Sequence, residues 1–195
     1  MFDKISHADT FISVLPISSE SSVGILSLFK KKGNELNPEL IVPCSLGKNG
    51  ITHNKKEGDL KTPAGIFDLG FAFGICDNPG TGLDYVKLSD TMYWVDDLHS
   101  EHYNRLIDTS KCRPDFKSGE HMTDYPGLYD YGITIGYNKD CIPVKGSAIF
   151  LHCTDDIRKP TSGCVAVKKP IMLKILKAIA ENDAPVIAVF DSNSD

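Results

Sequence analysis

One segment constrains the chain more than any other: Gly146–Val167, which reads GSAIFLHCTDDIRKPTSGCVAV. Ser147-Ala148-Ile149-Phe150-Leu151 is a continuous apolar run of the kind that makes a buried strand. His152 closes it, where a strand delivers a side chain to an edge of the fold. A polar loop, Thr154–Pro160, then returns the chain to Thr161-Ser162-Gly163-Cys164. Small residues before Cys164 permit a tight turn that leaves backbone N–H groups for an anion. A thiol needs a nearby imidazole to lose its proton at neutral pH, and donors for the oxyanion it creates. His152, Cys164 and the Ser162–Cys164 backbone are one set of candidates for all three parts.

Two plainer readings stand beside this one. Free cysteine is among the most buried residue types, so Cys164 before Val165-Ala166-Val167 also reads as the start of a buried strand. Cys153 reads as a buried thiol beside the site. A zinc site built from His152, Cys153, Cys164 and the pair His99/His102 is the other alternative. No Cys-x2-Cys pair occurs in the sequence, which argues against structural zinc, and no metal or cofactor is expected.

At 195 residues the chain is long enough for one well-filled core, and it reads as a single domain. A net charge of -5 argues against a nucleic-acid partner, and Lys30-Lys31-Lys32 is too short to be a basic tract. Six cysteines without regular spacing are not a disulfide framework. No apolar stretch is long enough to span a membrane as a helix, and Met1–His7 lacks the basic start and apolar core of a signal peptide.

Strands are expected at Thr10–Leu15, Val23–Phe29, Leu40–Val42, Gly65–Phe73, Tyr131–Tyr137, Ala148–His152 and Val186–Phe190, with Gly33-Asn34 as a hairpin turn. Gly47–Asp59 reads as a polar, mobile connection. The stretch from Cys76 to Met122 is rich in turn formers and aromatics and shows no clear period. One helix is expected from Pro170, with Ile171, Met172, Ile175, Leu176 and Ile179 on one face. The sum is a mainly β domain, a curled sheet, sandwich or barrel-like fold with one C-terminal amphipathic helix.

His152…Thr161-Ser162-Gly163-Cys164 resembles the active-site signature of the YkuD-type (ErfK/YbiS) L,D-transpeptidases. Thr62-Pro63-Ala64-Gly65-Ile66-Phe67 resembles that family's Thr-Pro-x-Gly-x-Phe element. Further blocks resemble one branch of it: Val95-Asp96-Asp97, Tyr103-Asn104, Glu120-His121-Met122 and Tyr137-Asn138. The resemblance spans about residues 10 to 190. Ser162 departs from it, standing where many members carry a second histidine, as does Ala166, where many carry Arg or Asn.

The resemblance implies a barrel-like catalytic domain of the periplasm or cell envelope, acting on peptidoglycan stem peptides. Cys164 would form a thioester with a stem tetrapeptide, and His152 would carry the proton, oriented by the main-chain carbonyl of Cys153. Transfer to an amine makes a cross-link; transfer to water makes an L,D-carboxypeptidase. A non-catalytic wall-binding module is the alternative that Ser162 raises. Thr161 and Arg158 on the loop, with Tyr131, His121 and Asn138, are further candidates for the pocket.

Overall fold

Strands β1 (Thr10–Pro16), β2 (Val23–Lys32) and β3 (Glu35–Ser45) form an antiparallel meander. The third strand is longer than expected. Between Leu28 and Phe29 the register slips, opposing Leu40 and Pro38, so Glu39 bulges out. A bulge tolerates Pro38 and interrupts the alternation that would otherwise reveal the strand. The structure, a computed structural model, describes residues 8–33 and 35–191; Met1–His7 and Asn34 of the expected hairpin turn lie outside them.

Two short strands, β4 (Ile51–Thr52) and β5 (Thr62–Pro63), pair in parallel and flank the connection read above as mobile. That connection is tied down: Lys55 is buried, and its ammonium meets Asp59 at 2.5 Å. Next come β6 (Gly65–Gly74) and β7 (Tyr85–Lys87). The unassigned middle then forms β8 (Met92–Val95), β9 (Leu106–Asp108) and β10 (Gly119–His121), a small antiparallel sheet in the order β10-β8-β9.

The last elements are β11 (Gly132–Ile135), β12 (Phe150–Thr154), β13 (Val165–Lys168), helix α1 (Lys169–Ala178) and β14 (Val186–Val189). The large sheet runs β11-β12-β13-β3-β2-β1-β14-β6-β7, and β11 also pairs with β6. That extra pairing closes the sheet into a barrel and removes most free edges. Of the arrangements the sequence allows, the barrel-like one is observed.

Ile12, Val14, Leu26, Leu28, Ile133, Leu151, Val165 and Ile187 share one apolar core. Met172, Ile175, Leu176 and Ile179 of α1 and its end join the same cluster, as their spacing predicts. A ten-residue helix is marginal alone, so this packing is what holds it. A second cluster lies under the small sheet, where Phe150 meets Trp94 edge-on at 4.7 Å and Phe73 at 5.1 Å. The two clusters occupy opposite faces of β12: Leu151 and Cys153 point to the first, Phe150 to the second. His152 shares the parity of Phe150 and so faces the second.

Candidate active site

Strands β12 and β13 run parallel with Leu151 opposite Val165 and His152 opposite Ala166. Cys164 immediately precedes β13. Strand alternation puts it on the same face as His152, one strand across and two residues along. Both are 7% exposed and both line one cavity of about 520 Å³. The sequence-predicted pair therefore shares one opening rather than lying inside the barrel core.

The sulfur is held from two sides. Cys164 S–H donates to the Ala148 carbonyl (3.1 Å), and the Phe150 N–H donates to Sγ (3.3 Å). Burial pushes this thiol up to about 12, aided by the Glu120 charge and opposed by the Phe150 N–H and Lys55. His152 Nδ1 lies 2.7 Å from the Cys153 carbonyl, which assigns the proton to Nδ1 and leaves Nε2 a lone pair. Burial holds the imidazole down at about 4, against that bond. Both groups are thus neutral near neutral pH, a thiol and a base at one cavity rather than a thiolate and an imidazolium.

The turn before Cys164 is built by Thr161. Its hydroxyl donates to the Cys164 carbonyl (2.7 Å) and accepts the Gly163 N–H (3.1 Å). Its backbone bridges to the segment after β3, through Thr161 N–H to Leu46 O and Lys48 N–H to Thr161 O, both 2.9 Å. Gly163 sits at φ +144°, and a Cβ there would stand 2.9 Å from the Lys61 carbonyl, so glycine is required. Of the three amides expected for an oxyanion, that of Gly163 is thus already committed to Thr161. Ser162 lines the cavity.

The remaining candidates lie elsewhere. Arg158 forms a two-pronged pair with Asp156 (3.0 and 2.9 Å) on the surface, outside the cavity lining. Tyr131 lies beneath the Lys169 ammonium, 5.6 Å from its ring centre, and packs on the barrel core. His121 stacks on Tyr93 and bonds Asp124 and the Asp90 carbonyl, both at 2.8 Å. Asn138 ties its own loop, donating to the carbonyls of Ile142 (3.0 Å) and Gly146 (2.8 Å). Cys153 is buried with its thiol toward the Tyr131 carbonyl (3.5 Å), so only its carbonyl serves the site. Among the described residues, no group of three or more His, Cys, Asp or Glu is placed to hold a metal.

Sequence reasoning missed an acidic wall. Glu57, Asp96 and Glu120 line the cavity with Lys55 and Lys159. Glu57 accepts from the hydroxyls of Tyr103 (2.5 Å) and Ser147 (2.9 Å), and Glu120 from that of Tyr129 (2.5 Å). Burial and the neighbouring Asp96 and Glu57 charges push the Glu120 carboxyl up, against its Tyr129 bond. One oxygen of Asp96 is buried without a hydrogen-bond partner. Tyr129 also presents its ring edge-on to His152 at 5.6 Å. The available signal was the set of short blocks around these carboxylates, each too weak alone to mark a pocket.

A family model described as the YkuD L,D-transpeptidase catalytic domain matches residues 26–187. Among solved structures, the helical cell shape determining protein Pgp2 from Campylobacter jejuni is similar in fold, with a TM-score of 0.55 at 14% identity over 97% of this chain and 52% of that one. The chain thus spans about half the length of that protein. An L,D-transpeptidase from Mycobacterium smegmatis aligns at a TM-score of 0.45 and 10% identity, over 94% of this chain and 59% of that one. No curated protein matches the sequence.

Proposed function

Since the chain belongs to the YkuD family of L,D-transpeptidase catalytic domains, we propose that it acylates Cys164 with peptidoglycan stem tetrapeptides in the periplasm or cell envelope. The observation that carries this is the placement of Cys164 and His152 on one face of paired strands at one cavity, with Nδ1 tied to the Cys153 carbonyl.

Substrate entry would turn the S–H from the Ala148 carbonyl toward Nε2 of His152. Sγ then attacks the carbonyl of the residue preceding the terminal D-alanine as the proton passes to Nε2. The resulting oxyanion would be met by turn amides of Ser162 and Cys164, and by that of Gly163 if it leaves Thr161. Collapse breaks the C–N bond, and the imidazolium returns the proton to the departing D-alanine amine. An acceptor amine or water then attacks the thioester, with His152 taking its proton and the Cys164 sulfur leaving. No cofactor takes part in this scheme.

Disaccharide tetrapeptide incubated with the protein tests it. D-Alanine release that is lost in Cys164→Ala and in His152→Ala supports the reading. A cross-linked dimer marks transfer to an amine, a free tripeptide transfer to water. Binding without D-alanine release would mean a wall-binding module instead and would overturn the catalytic reading.

A further inference from the structure

The carbonyl that receives the Cys164 S–H belongs to a residue in an unusual conformation. Ala148 stands at φ +54°, in the left-handed region, and unlike Asn or Asp it has no side chain to stabilise itself there. A residue distant in sequence, Asn104, supplies the hold. Asn104 Oδ1 accepts the Ala148 N–H at 3.1 Å and also the Trp94 indole N–H at 3.1 Å. The same amide donates through Nδ2 to the Asn138 carbonyl at 3.0 Å. Three of the four hydrogen-bonding directions of the Asn104 amide are thus taken by neighbours, and Trp94 is itself packed edge-on against Phe150.

One residue on, the Ile149 carbonyl turns the other way, to the Ile135 N–H (3.0 Å), and the Phe150 N–H turns back to Sγ. The strand lead-in therefore grips the sulfur twice, at residues 148 and 150. Only the first grip depends on an unfavourable backbone conformation, and that conformation is held by Asn104. Non-glycine residues kept in such regions cluster where surrounding structure enforces them for a purpose.

We propose that Asn104 is a positioning residue for the nucleophile. By holding Ala148 in its left-handed conformation it aims the Ala148 carbonyl at Cys164, and so fixes the direction of the S–H bond and of the sulfur lone pairs shown to the cavity. Asn104 does not line the cavity and acts only through Ala148. The functional consequence rests on Cys164 being the nucleophile; the hydrogen-bond geometry does not.

The S–H stretch tests this directly, because its infrared band lies in an otherwise empty window and moves to lower frequency when the S–H donates. The Cys164 band is identified by difference from Cys164→Ala. In the wild type it should lie at the lowered frequency. Asn104→Gly, which suits the left-handed φ of +57° at that position, should shift it up to the position of an unbonded thiol. Asn104→Asp keeps the acceptor oxygen and should leave the band low. Acylation by a carbapenem should slow about 10- to 100-fold in Asn104→Gly, the scale of a small misplacement of the attacking atom.

A wild-type band at the unbonded position, or one unmoved in folded Asn104→Gly, overturns the proposal. If Asn104→Gly does not fold, amide exchange in the wild type decides. Protection of the Ala148 N–H supports the hold, and exchange at the rate of an exposed loop refutes it. Should the wild type take up no carbapenem or stem peptide, the catalytic reading fails while the infrared result still judges Asn104.

Discussion

Alkylation of Cys164 in the absence of substrate should follow the titration of a buried thiol and show no trace of a preformed ion pair. With the thiol at about 12 and the imidazole at about 4, moving the proton between them spans about 8 pH units, or about 11 kcal/mol before the two charges attract. Even if the two charges stood about 4 Å apart, an effective dielectric near 20 would return only about 4 kcal/mol. The ion pair is therefore populated on the order of once in 100,000 molecules. A thiol moved from 9.0 to about 12 also carries roughly 1,000-fold less thiolate at any pH below its ordinary value.

The assay is iodoacetamide labelling with site-resolved mass spectrometry, from about pH 6 to 10. Site resolution is needed because Cys44 and Cys153 are likewise pushed up to about 12, while Cys76, Cys112 and Cys141 are only partly buried. The Cys164 rate should rise about tenfold per pH unit across the whole range, without a plateau. His152→Ala should leave that profile in place while abolishing acylation by substrate. A plateau near neutral pH in the wild type, lost in His152→Ala, would show a resting thiolate and refute the reasoning.

Three further outcomes follow from the same geometry. Gly163→Ala forces a methyl against the Lys61 carbonyl at φ +144°; it should destabilise by about 2 kcal/mol in urea unfolding and reduce acylation, and an unchanged midpoint would contradict the turn described. Ala148→Gly relieves the left-handed conformation at φ +54° and should stabilise by about 1 kcal/mol, raising Tm by about 2–4 °C; a lower Tm would count against that conformation. His152 is at about 4 when folded against 6.5 ordinarily, so the unfolded chain takes up the proton first as pH falls. Stability is then complete above about pH 6.5 and about 3 kcal/mol is lost on descending through 4, a loss that His152→Gln should not share.

The barrel, its helix and the placement of Cys164 and His152 at one cavity were legible because each rests on a regular signal. Ile149 and Leu151 alternate with Phe150 and His152 along a strand, and Met172, Ile175 and Leu176 recur at helical spacing. The cavity wall was not. Strands β8, β9 and β10 are three or four residues long, too short to display a period, yet they carry Glu120 to the cavity and Trp94 to the cluster behind it. Lys55 lies in a run of charges that reads as solvated, but its ammonium is buried against Asp59. Arg158 shows the reverse: a side chain suited to a carboxylate ligand that spends its fork on Asp156. Nor does any composition rule mark Ala148 as left-handed, since that conformation comes from Asn104 across a separation of 44 residues.

The most direct test of the central claim is acid-quenched mass spectrometry of the protein after brief exposure to disaccharide tetrapeptide. A mass gain equal to the donor less D-alanine, mapped to the peptide containing Cys164 and reversed by hydroxylamine as a thioester should be, is the predicted result. No adduct in the wild type, or the same adduct in Cys164→Ala, would contradict it.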